Sequence, residues 1–248
     1  MGMFWQDIPE TRARGAREIG PMPEIPHTGW VRPSEYPNLS AARILSYDVE
    51  SKDPELTSAG PGWGRGPDKH SIVGVSIAVR GAAWYFPMRH ETCPEQNMDP
   101  EQTLRFLQHT LGDNRPKVGA NLIYDYGSLL NEGVKVGGRQ YDIQFAEALL
   151  NSETPSVSLE SLAQAYLGHG KVSEILYEWL SSWMGGAANE KQRKWIYKAP
   201  PSLVGPYAVG DAEQPLLILE KQWNLLHQRG VLDLFDLECP PIPRPANT

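Results

Sequence analysis

Two acidic residues at the end of an apolar run could hold a divalent cation. Asp48 and Glu50 close the run at residues 43–50, which has the apolar character of a β-strand. Side chains at positions i and i+2 of a strand project from the same face, so both carboxylates would point at one spot. Two neighbouring carboxylates repel each other unless a cation lies between them. The pair therefore indicates a metal site, with a solvated strand end as the alternative.

Two further pairs of polar residues occur later in the chain. Asn121 and Asp125 lie at a predicted junction between a strand and a helix. There an Asn could simply cap the helix, and an Asp could accept hydrogen bonds from first-turn amides. Tyr207 and Asp211 are four residues apart in a predicted helix, so the phenol and the carboxylate share one face. Neither pair alone indicates a function, because each has an ordinary structural explanation.

The elements that would position these residues follow from the hydrophobic pattern. Three strands come first, and strand and helix then alternate. This order predicts an α/β domain in which a mixed β-sheet is flanked by α-helices. We predict strands at residues 43–50, 71–79, 82–87 and 117–119, and helices at residues 100–111, 122–131, 143–150, 158–167, 174–184 and 204–228.

Proline marks both ends of the chain. Six prolines lie in the first forty residues, and the last residues are also rich in proline. Because proline lacks a backbone N–H and disrupts helices, both ends are predicted to be extended surface segments. The predicted organisation is a Pro-rich N-terminal arm at residues 1–40, a compact domain at residues 41–238 and a Pro-rich C-terminal tail at residues 239–248.

Composition excludes several classes of protein. The 248 residues contain two cysteines, too few for a disulfide framework and typical of a reducing cytoplasm, where we expect the protein to act. No apolar run approaches the roughly 18 residues that cross a bilayer, so no membrane partner is expected. The net charge of −7 argues against a protein that coats duplex DNA. It does not exclude an enzyme that holds a few nucleotides through metal ions.

Taken together and in this order, the three pairs resemble the three motifs of the DEDD 3′→5′ exonucleases. The Tyr of the third motif matches the tyrosine subclass. Residues 118–125, 141–143, 161–167 and 207–212 resemble the proofreading domain of family A DNA polymerases, particularly the bacteriophage members. The resemblance covers about residues 40–238. It implies a ribonuclease-H-like fold that holds two divalent cations, Mg²⁺ or Mn²⁺.

The resemblance also implies a role for each motif residue. Asp48 would bridge both cations, and Glu50 and Asp211 would hold the cation that carries the attacking water. Asp125 would support the second cation, mostly through water. Tyr207 would orient the nucleophile by hydrogen bonding. Hard cations such as these prefer the oxygen ligands that carboxylates supply.

Other residues are candidates for contact with the substrate. Asn121 is a better candidate for a substrate contact than for a ligand. Trp63 and Arg65 lie in a Gly-rich loop beside the first strand and could touch DNA. The alternative is an ordinary mobile loop, which would have the same Gly-rich sequence. Trp183 lies where the family places an apolar wedge for the terminal bases. Because neighbouring aromatics on the same predicted helix do not share one face, some of them must be core residues.

Two weaker features have ordinary structural explanations, which we favour. Asp142 is a fifth carboxylate near the motifs, but it precedes a predicted helix and is predicted to be its N-cap. A basic cluster near residue 195 is predicted to be a solvated face, with a rim that follows a DNA backbone as the alternative. Its members are Lys191, Arg193, Lys194 and Lys198.

The sequence therefore predicts a metal-dependent enzyme that removes nucleoside monophosphates from single-stranded or frayed DNA 3′ ends. Its expected role is proofreading, and its expected partner is a DNA polymerase chain or domain. One alternative is an exoribonuclease that trims RNA 3′ ends, since related ribonucleases carry similar motifs. The other is a catalytically silent DNA-binding or scaffolding domain of a polymerase.

Overall fold

A computed structural model describes residues 20–66, 68–170 and 173–242. The first 19 residues of the predicted N-terminal arm and the last six of the predicted tail lie outside the described residues. The described chain forms a mixed β-sheet with helices packed against it, as predicted. No helix in these described ranges is long and apolar enough to cross a membrane.

The strands form one sheet in the order β3-β2-β1-β4-β5-β6. The first three strands are antiparallel neighbours, whereas β4 and β5 run parallel to β1, and β6 is a short antiparallel edge. The parallel carboxyl ends of β1, β4 and β5 therefore meet at one edge of the sheet. The strands are β1 (Leu45–Lys52), β2 (Ser71–Val79), β3 (Ala82–Pro87), β4 (Lys117–Gly119), β5 (Gly138–Asp142) and β6 (Pro241–Ile242).

The helices agree with most of the predicted bounds. The main departures are an earlier start for the long helix that carries Tyr207 and an unpredicted 3₁₀ segment at Glu190–Lys198. The helices are α1 (Leu56–Ala59), α2 (Pro100–Leu111), α3 (Leu122–Asn131), α4 (Ile143–Leu150), α5 (Leu159–Leu167), α6 (Glu174–Met184), α7 (Pro201–Gln228) and α8 (Leu232–Glu238). Shorter 3₁₀ segments lie at Gly62–Gly64 and Pro94–Gln96.

Helix α2 shows how local sequence sets the bounds of an element. Asp99 is its N-cap, and its side chain accepts a hydrogen bond from the Gln102 backbone N–H at 2.8 Å. Pro100 occupies the first turn, where no intrahelical N–H is needed. Leu107 and Leu111 are fully buried against the sheet. The helix therefore begins and ends where the sequence predicts.

Helix α7 contains a proline whose cost is offset by the N-terminal arm. Pro206 has no N–H to donate to the Ser202 carbonyl, its normal partner four residues earlier. The Thr28 hydroxyl donates to that carbonyl instead, at 2.6 Å. Trp30 packs beside the same turn, where an added Cβ on Gly205 would lie only 2.3 Å from its ring. The described part of the arm is thus packed against the body.

The chain after α8 also packs against the body. Cys239 is buried, and Pro241 and Ile242 pair with β5 as the edge strand β6. The Arg139 side chain donates to the Cys239 carbonyl at 2.9 Å. Pro240 and Pro241 are exposed, so the described start of the tail lies at the surface, where backbone pairing with β5 holds it in place.

Candidate active site

Strand β1 places two carboxylates on the same face of the sheet. Asp48 pairs with Ser76 of β2, and Glu50 pairs with Gly74. Both partners are small, and a Cβ added at Gly74 would collide with the Tyr85 side chain, so this glycine lets Tyr85 lie on the same face as the acids. The register shifts directly after Glu50, where Val73 is the extra residue, so β2 bulges opposite this point of β1. The acids lie within β1 rather than at its end, since the strand continues to Lys52.

Helix α7 crosses the sheet and adds a third carboxylate. Asp211 and Tyr207 lie one turn apart on the face that packs against β1 and β2. Ligand oxygens of Asp48, Glu50 and Asp211 all lie within 4.8 Å of one another. Glu50 and Asp211 are 6% and 5% exposed, whereas Asp48 is partly exposed. Hard oxygen donors at this spacing form a set that suits a divalent cation.

Asp125 lies beside the cluster on the first turn of α3. Its Oδ1 accepts a hydrogen bond from the Val49 backbone N–H at 3.2 Å, which fixes it against β1 between the two acids of that strand. Burial and then the nearby Asp48 charge raise the pKa of Asp125 well above its ordinary value. A bound cation would reverse that effect by favouring the ionised carboxylate. The side chain therefore faces the cluster rather than serving only to cap α3.

Tyr207 is a buried phenol beside the carboxylates. It is 2% exposed, and its ring centroid lies 5.9 Å from that of Tyr177. Burial, followed by the charges of Asp211 and Glu50, raises the pKa of Tyr207 well above its ordinary value. The hydroxyl therefore stays protonated at neutral pH. It can orient a water molecule by hydrogen bonding, but it is not suited to act as a base.

Asp142 serves as a cap, as predicted, and it caps two helices. Its Oδ1 accepts from the Gln144 N–H at the start of α4, and its Oδ2 accepts from the Leu122 N–H at the start of α3, both at 2.9 Å. Asn121 makes no side-chain capping hydrogen bond within the described chain. Its backbone is left-handed, with φ of 60°, and the residue is exposed beside the cluster. The capping explanation for Asn121 is thus wrong, and its side chain faces solvent at the edge of the site.

The Gly-rich loop is held by Asp53, a buried residue that sequence reasoning missed. Its carboxylate accepts from the Gly62 N–H at 2.8 Å and from the Tyr124 hydroxyl at 3.1 Å. Arg65 forms ion pairs with Asp53 and with Glu55, at 3.3 and 2.6 Å. These contacts give Arg65 a structural role, and its contact with DNA stays a prediction. The only local signal for Asp53 was a further acid three residues after Glu50.

Trp63 also has a structural contact in the described chain. Its ring packs on α3 at Gly127, where an added Cβ would lie 2.4 Å from the Trp63 Cε2 atom. The residue is partly buried, and its Nε1 is buried without a hydrogen-bond partner among the described residues. The glycine is therefore required for the loop to lie against the helix. Contact between Trp63 and DNA likewise stays a prediction.

The aromatic residues of α6 divide between core and surface. Tyr177 and Trp179 are 8% and 4% exposed and belong to the core beneath α7. Trp183 is partly exposed and packs edge-on against Trp179, with ring centroids 5.2 Å apart. Its Nε1 donates to the Gly20 carbonyl of the N-terminal arm at 3.0 Å. Of the three, Trp183 is the one left open to a base.

Comparison with known proteins agrees with the motifs. The sequence profile of the 3′-5′ exonuclease domain of family A DNA polymerases matches residues 68–227, more than half of the chain. A DNA-directed DNA polymerase of Pseudomonas phage M6 is 32% identical over 223 residues, which cover 86% of this chain and 32% of the phage protein. DNA polymerase I of Pseudomonas aeruginosa is 30% identical over 213 residues, or 83% of this chain and 21% of that protein. The chain spans about a third or less of the length of these curated relatives.

Solved structures show the same fold at low sequence identity. Brucella melitensis NrnC with bound Mg²⁺ has a TM-score of 0.53 at 16% identity, covering 82% of this chain and 83% of NrnC. A second structure, described as the apo form of the nuclease, has a TM-score of 0.51 at 17% identity, with 78% of each chain covered. The predicted ribonuclease-H-like fold is thereby confirmed. With the profile match and the phage relative, it follows that this chain belongs to the 3′-5′ exonuclease domain family of the family A DNA polymerases.

Proposed function

We propose that this chain is a metal-dependent 3′→5′ exodeoxyribonuclease that releases nucleoside monophosphates from single-stranded or frayed DNA ends. The observation that carries the proposal is the group of Asp48, Glu50 and Asp211 oxygens within 4.8 Å of one another, with the buried Tyr207 one helical turn before Asp211. The family relationship supplies the reaction class. We infer that the reaction would take place at this cluster, near the carboxyl end of β1.

The donor set of the cluster fits divalent cations. Asp48, Glu50 and Asp211 would hold one cation, and Asp48 with Asp125 would support a second, both as Mg²⁺ or Mn²⁺. When bound, such cations make hydroxide available near neutral pH and stabilise the charge on the attacking and leaving oxygens of an in-line displacement. The carboxylates alone would repel an anionic phosphodiester. We therefore expect cleavage to depend strictly on the cations.

The chain's own residues position the reactants. Tyr207 stays protonated, so its hydroxyl orients the attacking water beside Glu50 without taking the proton. Asn121 is exposed at the N-terminus of α3, where an amide side chain can hydrogen-bond the terminal nucleotide. Trp183 offers a partly exposed aromatic surface for base stacking, a contact worth about 1–3 kcal/mol per base. Trp63 and Arg65 belong to a loop at the same edge and are candidates for further contacts.

DNA is the substrate that the sequence relatives favour. The phage and bacterial polymerases at 30% identity or more are named as DNA polymerases. NrnC shares the fold, but at 16% identity that likeness carries no information on the sugar. Unpairing a terminal base costs least when the base is mismatched, so mismatched ends reach a single-strand site more often. Proofreading selectivity needs no base-specific contact.

The proposed biological role is proofreading for a family A DNA polymerase in the cytoplasm. The relatives are polymerases of which this chain matches about a third or less, so a polymerase chain or domain is the proposed partner. A silent scaffolding domain is disfavoured because Asp48, Glu50, Asp125, Tyr207 and Asp211 are all present and converge. A domain retained only for packing would need none of these acids.

Polarity and sugar preference test the proposal. A single-stranded DNA oligonucleotide labelled at its 5′ end is incubated with the protein and Mn²⁺, beside an RNA oligonucleotide of the same sequence. We expect a ladder that shortens from the 3′ end on DNA, with slower cleavage of RNA. A ladder on RNA alone would support the RNA-trimming alternative. No cleavage of either strand by folded protein would support the silent scaffold.

A further inference from the structure

We propose that Arg193 is a substrate-binding residue whose guanidinium binds the phosphate of the 3′-terminal nucleotide. This inference rests on the proposed exonuclease function and assigns a residue outside the carboxylate motifs. Arg193 lies on the 3₁₀ segment Glu190–Lys198, which the strand and helix pattern did not predict. In the sequence it is one of four clustered basic residues. In the fold, its side chain has different neighbours from those of the other three.

The 3₁₀ segment is held firmly at both ends. At its start, Gln192 is 3% exposed, and its Nε2 donates to the Gly185 and Ala187 carbonyls at 3.0 and 2.9 Å. At its end, the Tyr197 carbonyl accepts from the Glu91 N–H at 2.9 Å. These bonds fix the backbone on either side of Arg193. The position of its side chain is therefore set by the fold rather than by a loose loop.

The segment packs directly on the elements that carry the site. It contacts β1, the strand of Asp48 and Glu50. Its Ile196 is 1% exposed and shares one hydrophobic cluster with Tyr177 and Tyr207. Arg193, three residues before Ile196, is thus placed at the Tyr207 side of the carboxylate cluster.

The charges around Arg193 agree with that placement. Burial of its guanidinium lowers the pKa of Arg193, but interactions with the Tyr207 and Tyr177 hydroxyls and with two carboxylates together raise it. The carboxylates of Glu50 and Asp211 act in the same direction. Much of the Arg193 side chain nevertheless remains in contact with solvent. A ligand that enters from solvent can therefore reach a guanidinium that lies within electrostatic range of Tyr207, Glu50 and Asp211.

A phosphate is the ligand that this position suits. Divalent cations bound by Glu50 and Asp211 would compensate those carboxylates, which leaves the guanidinium available for another anion. The planar fork of arginine binds phosphate oxygens through two parallel hydrogen bonds. The phosphate of the terminal nucleotide must lie beside Tyr207 for the attacking water to reach it. Arg193 would then bind that phosphate before cleavage and in the released monophosphate.

The product dTMP retains this phosphate, so it tests the contact without any cleavage. Binding of dTMP and of thymidine is measured calorimetrically in Mn²⁺ for the wild-type chain, Arg193→Gln, Arg193→Lys and Lys194→Gln. Lys194→Gln is the matched control, because it removes the same charge one residue away. The Lys194 Nζ lies over the Trp195 ring, 5.3 Å from its centroid. Circular dichroism establishes that each variant is folded.

We expect Arg193→Gln to bind dTMP about tenfold to a hundredfold more weakly, the effect of losing a hydrogen bond to a charged group. Arg193→Lys should bind with intermediate affinity, since it keeps the charge but loses the fork. The affinity for thymidine should change by less than about twofold in the Arg193 variants. The affinity of Lys194→Gln for dTMP should also change by less than about twofold. Wild-type affinity for dTMP in Arg193→Gln, or equal losses for dTMP and thymidine, would overturn the inference. If Arg193→Gln does not fold, wild-type dTMP affinity in Arg193→Lys overturns it. Failure of the wild-type chain to cleave DNA would instead reject the proposed function.

Discussion

Replacement of Asp142 tests whether this acid is a double helix cap or a metal ligand. Its carboxylate is 4% exposed and accepts the Leu122 and Gln144 backbone N–H groups, each at 2.9 Å. A hydrogen bond to a charged group contributes about 1.5–3 kcal/mol, so Asp142→Ala should lose about 3–6 kcal/mol. Domains of this size are stable by only about 5–15 kcal/mol. The Ala variant should therefore be close to unfolding, and Asp142→Asn, which keeps one acceptor, should lose about half as much.

Urea unfolding followed by circular dichroism measures these losses. The pH is held at 8, because burial raises the pKa of Asp142 even though its backbone donors oppose the shift. The rise in melting temperature on adding Mn²⁺ is recorded for each folded variant. If Asp142 is a cap and not a ligand, Mn²⁺ should raise the melting temperature of Asp142→Asn as much as that of the wild-type chain. A variant with wild-type unfolding but no response to Mn²⁺ would show that Asp142 is a ligand and refute the reasoning.

Three further predictions follow from contacts around the site. His90 is buried between the Tyr85 hydroxyl and the Ala199 carbonyl, each at 2.7 Å, and burial lowers its pKa from 6.5 to about 4. Since only the unfolded chain then binds the proton, about 3 kcal/mol of stability should be lost as the pH falls from 6.5 to 4, and His90→Gln should flatten that slope in urea titrations. Gly127→Ala should destabilise the protein by about 1–3 kcal/mol because its Cβ would displace Trp63, whereas Gly210→Ala, with open space around its Cβ, should stabilise it by up to about 1 kcal/mol; equal effects on the unfolding midpoint would contradict the packing. Asp125→Asn should raise the melting temperature of the metal-free protein at pH 8, because it removes a buried charge yet can still accept the Val49 N–H, and it should lose cleavage activity; a lower melting temperature would contradict the burial argument.

Local patterns were sufficient to predict most of the elements that hold the site. Strand β2 and helix α3 have the predicted bounds because their apolar spacing and turn residues are local signals. The first strand runs two residues further than predicted, to Lys52, since the polar residues after Glu50 do not look like a strand. The long helix α7 starts earlier than predicted because Thr28 replaces the hydrogen bond that Pro206 cannot make. That contact joins residues far apart in the chain, so no local pattern contains it.

The part of the candidate site that depends on residue type and on the order of the motifs could be predicted from the sequence. The acids of the three motifs converge, with Asp48, Glu50 and Asp211 in one group and Asp125 beside it. The roles of Asp53 and Arg193 could not be predicted, since each depends on packing between distant segments. The double cap at Asp142 needs β4 and β5 to be neighbours, which the sequence does not specify. Arg65 shows the reverse case, in which a residue suited to DNA binding is held by two acids.

The release of nucleoside monophosphates from the 3′ end of single-stranded DNA tests the central claim most directly. Wild-type chain and Asp211→Asn are compared in Mg²⁺, in Mn²⁺ and in EDTA, with circular dichroism establishing that both are folded. Wild-type chain should release monophosphates only with a divalent cation, and Asp211→Asn should be slower by at least about a hundredfold. Cleavage in EDTA, or a wild-type rate in Asp211→Asn, would contradict the assignment of catalysis to this carboxylate cluster.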